Sequence, residues 1–470
     1  MVDKEICFRS ALDLARDIRE KKLSPVEIVE NSLRRIEEVN PQLNGFCFVY
    51  AEEAIDKARN AERDVQTGKQ VGPLHGVPFA IKDFTPTAGK RTTLGSKVFE
   101  NWIPEFDPPL VERLHKAGGI MIGKTTTPEF AHSSFTDSPL WGPTRNPWNS
   151  NCTAGGSSGG SAIAVATGCV PIAEGSDAGG SIRIPAALSG IVGLKPSFGR
   201  IPMGILPSAF DSIFHFGPLS RTVSDAVLFL NITQGPDDRD IMSLPETQPI
   251  SLPLRKEAVG LRLALCPNQG FFSLDPEVEA NTHASAEALR SAGAVVEEVD
   301  LDWTRQIVDD WFLHWAVFFA AFFERHLARW RDDMTPEVVR MIEVGQSIKA
   351  TDFKRLEEAR TLQWEKLRQI LSNYDALLTA TMALTAPAIG GKDSDYDSDD
   401  DAGLYKGLDM TCPLNFVSQC PVITVPSGFS SEGLPTGLQI IGRRYDETTV
   451  VKIAGTLESI QPWMKSRPPI

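Results

Sequence analysis

A lysine closing an apolar strand, and two serines framed by glycines, constrain this chain more than any other feature. Lys82 ends the run Val77-Pro78-Phe79-Ala80-Ile81, which reads as a buried strand. Ser157 lies in Gly155-Gly156-Ser157-Ser158-Gly159-Gly160-Ser161, and Ser181 follows 24 residues later in Ser176-Asp177-Ala178-Gly179-Gly180-Ser181-Ile182-Arg183. A buried lysine can lose its proton near neutral pH, because desolvation disfavours the ammonium form. The neutral amine can serve as a base for a serine hydroxyl. Glycines just before a serine expose backbone N–H groups of the kind an oxyanion hole needs. The chain therefore carries a base, a relay and a nucleophile with its anion trap. A bland alternative exists: a strand-end lysine paired with a carboxylate, and glycines in simple turns. It does not account for the serine spacing joined to an Asp-x-Gly-Gly-Ser context.

Residues 1–68 read as a helical arm. Ser24-Pro25-Val26-Glu27 has the form of a capping box with proline at the first helical position. Val29, Leu33 and Ile36 follow at helical spacing, and Asn40-Pro41 is expected to stop the helix. An alanine-rich stretch spans 51–66. From about residue 70, the apolar segments Val77–Ile81, Ile120–Ile122 and Val170–Ala173 alternate with helical stretches, which predicts a layered α/β core over 69–245. Character changes near Gly235-Pro236-Asp237-Asp238. A strand-like Leu261–Leu265 precedes a helical, aromatic stretch, so 246–373 reads as an inserted, mostly helical cap. Asp375–Thr379 resumes the core, which 374–470 completes.

A net charge of −14 repels phosphate backbones and argues against nucleic acid as a partner. The apolar run from Trp311 to Phe323 is 13 residues long and includes His314, too short to span a membrane. Met1-Val2-Asp3-Lys4-Glu5 lacks the form of a signal peptide. Seven cysteines without paired spacing suggest reduced thiols in a cytoplasm. The seven histidines show no metal-site spacing, so no metal is expected. Cys152 has no neighbouring base and reads as a small buried hydrophobe.

Three rival motifs fail on context. Gly118-Gly119-Ile120-Met121-Ile122-Gly123-Lys124-Thr125 matches a P-loop letter for letter, but its intervening residues are themselves an apolar strand. Gly155-Gly156-Ser157-Ser158-Gly159 matches a nucleophile elbow, yet a polar loop rather than a strand precedes it. The acidic stretch 393–401 puts Ser398 where a calcium loop needs glycine, and reads as a solvated loop. The aromatic run 311–323 fits core packing better than a ligand pocket, although within a cap it would wall a substrate cleft.

The glycine-serine stretches resemble the defining segment of the amidase signature family. So do Gly142-Pro143-Thr144-Arg145-Asn146-Pro147-Trp148, Gly193-Leu194-Lys195-Pro196 and Gly433-Leu434-Pro435-Thr436-Gly437-Leu438-Gln439. The resemblance implies a fold of α/β class: a large mixed sheet with helices on both faces, bearing the inserted cap. It implies Ser181 as nucleophile, Ser157 as the cis-serine and Lys82 as base, with oxyanion donors at Ala178, Gly179, Gly180 and Ser181. Ser176, Asp177 and Arg183 would support the loop. The sequence departs from the family in Ser176, usually Thr, and Ala178, usually branched; neither change removes a required group. The expected function is hydrolysis of apolar or aryl amides, extending to anilides and aryl carbamates (urethanes), without a cofactor. Expected partners are the small-molecule amide or carbamate, with a homodimer left open and neither nucleic acid nor membrane involved. Phe130, Ile205, Leu206, Trp315 and Phe416 are expected to line the substrate site. Two alternatives stand beside this reading. One is the A subunit of a tRNA-dependent glutamyl/aspartyl amidotransferase, against which stands the absence of a Gly-Tyr-Tyr-Asp segment. The other is a non-catalytic amidase-like binding protein, against which stands the intact triad.

Overall fold

The computed structural model describes residues 2–254 and 256–470. Eleven strands form one mixed sheet. They are β1 (Phe46–Val49), β2 (Pro78–Lys82), β3 (Ile120–Thr125), β4 (Ile172–Asp177), β5 (Val192–Lys195), β6 (His215–Ser220), β7 (Arg262–Leu265), β8 (Val295–Glu298), β9 (Ala376–Ala380), β10 (Val422–Phe429) and β11 (Pro435–Gly442). Their spatial order is β1-β3-β2-β4-β6-β5-β10-β11-β9-β7-β8. β2 runs parallel to both β3 and β4, and β7 runs parallel to β8 and β9, while the centre is antiparallel.

Alternation along each strand decides which layer a side chain joins. Phe79 and Ile81 of β2, Met121 of β3 and Ile172 of β4 enter one apolar layer. Ala80, Ile120, Ile122 and Ala173, their neighbours in sequence, enter another. The helices Val223–Thr233 and Glu447–Ile460 close the first layer through Phe229 and Ile453. The helices Pro25–Leu43, Ala51–Gln66 and Gly159–Ala166 close the second through Val29, Ala58 and Ile163. At the far end of the sheet, Ala264 and Leu377 pack under Leu367 and Leu371 of the helix Ala350–Asn373. Helices thus cover both faces, as an α/β sheet with near-continuous apolar strands requires.

Four local expectations are revised. Ser24 caps its helix by accepting from the Val26 N–H at 3.0 Å, without the return bond from Glu27 that a capping box includes. Pro41 does not end that helix, which runs on to Leu43. In the last turn a proline removes only one backbone donor, and the stop comes from Asn44 in the left-handed region with φ 54°. The strand expected at Val170–Ala173 is β4, and its polar half Glu174-Gly175-Ser176-Asp177 is as buried as its apolar half. The stretch 246–373 is not all cap. β7 and β8 belong to the main sheet, and the helix Pro276–Ser291 packs on β10 and β11.

Because β2 and β4 are parallel neighbours, pairing Phe79 with Ile172 and Ala80 with Ala173, their C-terminal ends emerge together. That places Lys82 beside Ser176 and Asp177. Ligands of open α/β sheets gather at such carboxyl ends.

The helix Pro336–Ser347 packs on the aromatic helix Gln306–Phe323 with no room at Gly345, where a Cβ would lie 2.0 Å from the Ala316 carbonyl oxygen. Alanine is the better helix former by about 1 kcal/mol. Gly345→Ala is nevertheless expected to destabilise the protein, by about 1–3 kcal/mol, because a Cβ pressed on backbone has no rotamer to escape into. Denaturant unfolding of the variant beside the parent checks the sign.

Candidate active site

Lys82 is wholly buried at the end of β2. Its Nζ lies 2.7 Å from Ser157 Oγ and 3.0 Å from Ser176 Oγ. Burial pulls the amine down to about 7, against the opposing pull of the Glu174 and Asp177 carboxylates. Glu174 makes no ion pair with the amine. Its carboxyl accepts from the Lys82 backbone N–H and from Thr85 Oγ1, both at 2.9 Å, and burial pushes its pKa up. Ser157 sits at the entry to the helix Gly159–Ala166, and the Gly156–Ser157 peptide is cis, as the resemblance implied.

The loop after β4 is built around a buried ion pair. Asp177 and Arg183 are both fully buried, 3.0 Å apart. Every N–H of the Arg183 guanidinium has an acceptor: Asp177 Oδ2 for Nε, Thr411 O and Gln439 Oε1 for Nη1, and Asp177 Oδ1 and Asn415 Oδ1 for Nη2. Burial alone would raise the Asp177 carboxyl. The Arg183 charge and the Asn415 amide overcome that and hold it well below the usual carboxylate range. Gln439 explains part of one motif named from sequence: it stands on β11, and its side chain completes this network. The Gly142–Trp148 motif acts next door. Asn146 Nδ2 donates to Leu188 O at 2.8 Å and Trp148 Nε1 to Ser189 O at 2.9 Å, capping the helix Arg183–Ser189.

Backbone accounting over 177–181 shows which donors are free. The Asp177 carbonyl is 3.2 Å from Asn415 Nδ2. The Ala178 carbonyl accepts from Trp311 Nε1 at 3.0 Å. The Gly179 carbonyl accepts from Thr411 Oγ1 at 2.5 Å, and the Gly180 carbonyl from the Ile184 N–H at 2.7 Å. Of the four N–H groups expected as oxyanion donors, the Gly180 N–H is already taken, donating to Asp177 Oδ1 at 2.9 Å. Those of Ala178, Gly179 and Ser181 have no protein partner among the described residues. Gly180 has φ 131°, and a Cβ there would lie 1.8 Å from Thr411 Oγ1, so only glycine fits.

Ser181 and Gly179 reach a cleft of about 350 Å³. Its apolar wall comes from Trp311, Phe312, Leu313 and Trp315 of the aromatic helix, with Met341, Ile184 and Leu408. The aromatic run therefore divides. Trp311 and Trp315 stack at 6.1 Å in the cleft, while Phe319 and Phe323 turn into the core. Of the expected lining residues, the structure brings only Trp315 to the cleft. Phe130 is fully buried, stacked at 4.2 Å on Phe323. Phe416 is fully buried near the Arg360 guanidinium, and Ile205 and Leu206 pack half-buried on the core.

The acidic stretch 393–401 is more than a solvated loop, because it forms part of the cleft rim. Asp393 accepts from Ser133 Oγ at 2.6 Å, and Arg305 bridges Asp397 at 2.7 Å and Asp399 at 3.2 Å. Asp393, Ser394 and Asp397 line the opening with Glu337, Arg340 and His132. Among the described residues no group of three or more His, Cys, Asp or Glu side chains is arranged to hold a metal ion, and no helix is long and apolar enough to cross a membrane. The P-loop look-alike is β3 itself, with Lys124 buried against Thr85 O and Thr92 Oγ1. Cys152 is buried and its thiol is pushed up by burial.

Residues 27–451 match the Amidase family. An acylamidase of Rhodococcus erythropolis is 36% identical over 476 residues, covering all of this chain and 98% of that one. The A subunit of the glutamyl-tRNA(Gln) amidotransferase of Carboxydothermus hydrogenoformans is also 36% identical, over 493 residues and 99% of each chain. The crystal structure of a bacterial aryl acylamidase of the amidase signature family superposes with a TM-score of 0.91 at 31% identity, covering 97% of each chain. With the family matched over most of its length, this chain belongs to the amidase signature family of enzymes that act on carbon–nitrogen bonds.

Proposed function

We propose that this protein is a serine hydrolase of apolar or aryl amides that works through an acyl-enzyme. The observation that carries the reading is a low-pKa amine buried between two hydroxyls, one of them on the strand whose following loop carries Ser181 into an aromatic-walled cleft. Ser181 Oγ attacks the amide carbonyl while its proton passes to Ser157 and the Ser157 proton to Lys82. The oxyanion is held by the free N–H groups of Gly179 and Ser181, with Ala178 beside them. Collapse breaks the C–N bond, Ser157 protonates the departing amine, and Lys82 restores the Ser157 proton. Water then attacks the acyl-enzyme by the same relay, which releases the acid and frees Ser181. Ser157 Oγ is committed to Lys82 Nζ at 2.7 Å and shares no hydrogen bond with the Ser181 hydroxyl, so the first proton transfer requires a small shift of the Ser181 side chain.

The acyl or aryl part would lie against Trp311, Phe312 and Trp315. Burying apolar surface contributes about 25 cal/mol per Å², so an aryl amide gains more there than a small polar one. N-aryl carbamates present the same carbonyl geometry and enter as slower substrates. The relatives support both an acylamidase reading and an amidotransferase reading at equal identity. The aromatic wall and the acidic rim favour the first.

Three outcomes are expected. Ser181→Ala abolishes turnover, and a sulfonyl or organophosphorus reagent labels Ser181; a peptide map placing the adduct on Ser157 overturns the assignment. With Lys82 as the base, kcat/KM falls roughly tenfold per pH unit below about 7, as the amine gains its proton, and stays level above. A profile flat from pH 5 to 8 removes Lys82 from that role. Finally, the isolated chain turns over a medium-chain nitroanilide at a higher kcat/KM than acetamide, without glutamine, ATP or a partner chain. Amidation of charged tRNA by a stable complex, with no turnover by the chain alone, selects the amidotransferase reading.

A further inference from the structure

We propose that Trp311 is a positioning residue for the oxyanion hole, so that the aromatic helix serves the chemistry as well as walling the cleft. The proposal rests on the hydrolase reading above. In a trans peptide the C=O and the N–H point to opposite sides of one rigid plane. The Ala178 carbonyl and the Gly179 N–H share such a plane. Trp311 Nε1 holds the carbonyl at 3.0 Å, and the N–H on the opposite edge is one of the free donors. Fixing the carbonyl therefore aims the donor. The indole also closes the space over the unit, since a Cβ on Gly179 would lie 2.3 Å from Trp311 Cζ2.

The neighbouring units are held by Asn415, Thr411 and the Ile184 N–H. Among the side chains that hold the loop's carbonyls, Trp311 alone also lines the cleft. A substrate ring packed on the indole thus bears on the group that aims the Gly179 donor. Occupancy of the apolar wall and alignment of the oxyanion hole become linked through one side chain, and apolar substrates gain in kcat as well as in KM.

The test is Trp311→Phe, which keeps an aromatic ring and deletes the N–H. On a nitroanilide that the parent enzyme hydrolyses, kcat is expected to fall about tenfold to a hundredfold, with KM rising no more than it does in the comparison variant below. Affinity for a trifluoromethyl ketone bearing the same acyl chain, which forms a tetrahedral adduct with Ser181, should fall by the same factor as kcat/KM. The unreactive methyl ketone should weaken only as much as KM rises. Trp315→Phe is the comparison. It trims the same cleft, but its indole holds no loop carbonyl, so it should raise KM and keep the parent ratio of adduct to substrate affinity. Should Trp311→Phe not fold, benzothienylalanine at position 311 keeps the bicyclic shape and replaces N–H by sulfur. Equal behaviour of the two positions, or an unchanged adduct affinity at 311, overturns the proposal. A parent enzyme that hydrolyses no anilide or ester at all overturns the hydrolase reading instead.

Discussion

The site depends on an ion pair that never meets water. Removing a carboxylate and a guanidinium from solvent costs several kcal/mol per ion, and their attraction repays it only when every remaining donor and acceptor is matched. Asp177 and Arg183 meet that condition through Thr411, Asn415, Gln439 and the backbone N–H groups of Gly180 and Ile182. What the pair supplies is geometry more than stability. One Asp177 oxygen takes the Gly180 N–H and the other the Ile182 N–H, which leaves those of Ala178, Gly179 and Ser181 free of protein partners among the described residues. A less complete network would leave a buried charge short of partners, and the loop would have reason to open.

The second constraint is the company that buried amines keep. Lys195 is also pulled down to about 7 by burial, and the amine of Lys124 is lowered as well. Yet Lys195 Nζ faces the carbonyls of Cys420, Ser418 and Pro196, and a carbonyl has no proton to give. Lys82 Nζ faces two hydroxyls, which both accept and donate. A depressed pKa alone therefore does not single out a base. The proposed base is set apart by the chemistry of its neighbouring atoms, which separates Lys82 from Lys195 where burial cannot.

Much of this was legible in the sequence, and the illegible parts share a cause. The strand ending at Lys82, the glycine-serine loops and the mixed, doubly covered sheet follow from local pattern and family likeness. The groups that hold the loop from outside were missed. Thr411 and Asn415 lie more than 200 residues from Arg183, in a stretch with no periodic signal. Glu174 left a faint one, a carboxylate directly after the apolar Ile172-Ala173. Four of the five expected lining residues lie elsewhere, because an apolar residue in sequence says only that it wants burial. Phe130 and Phe416 found it in the core, whereas Trp311 found it half in the cleft, with its N–H spent on a carbonyl. The strand β8 was hidden in a helical context because two of its four residues are glutamates on an edge strand.

The order of the strands has a consequence for how the protein comes into being. Chains leave the ribosome from the N-terminus, at about 5–20 residues per second. Lys82, Ser157 and Ser181 are all made early, but Arg183 waits 228 residues for Thr411 and 256 for Gln439. Through that interval the guanidinium has no acceptor on β11, and the loop has only its local bonds. Ser181 is thus made before its frame is finished, and β11, the last strand of the sheet to be synthesised, is the one that finishes it. The frame around the loop is complete only once β11 has been made, a form of timing written into topology rather than into any regulatory element.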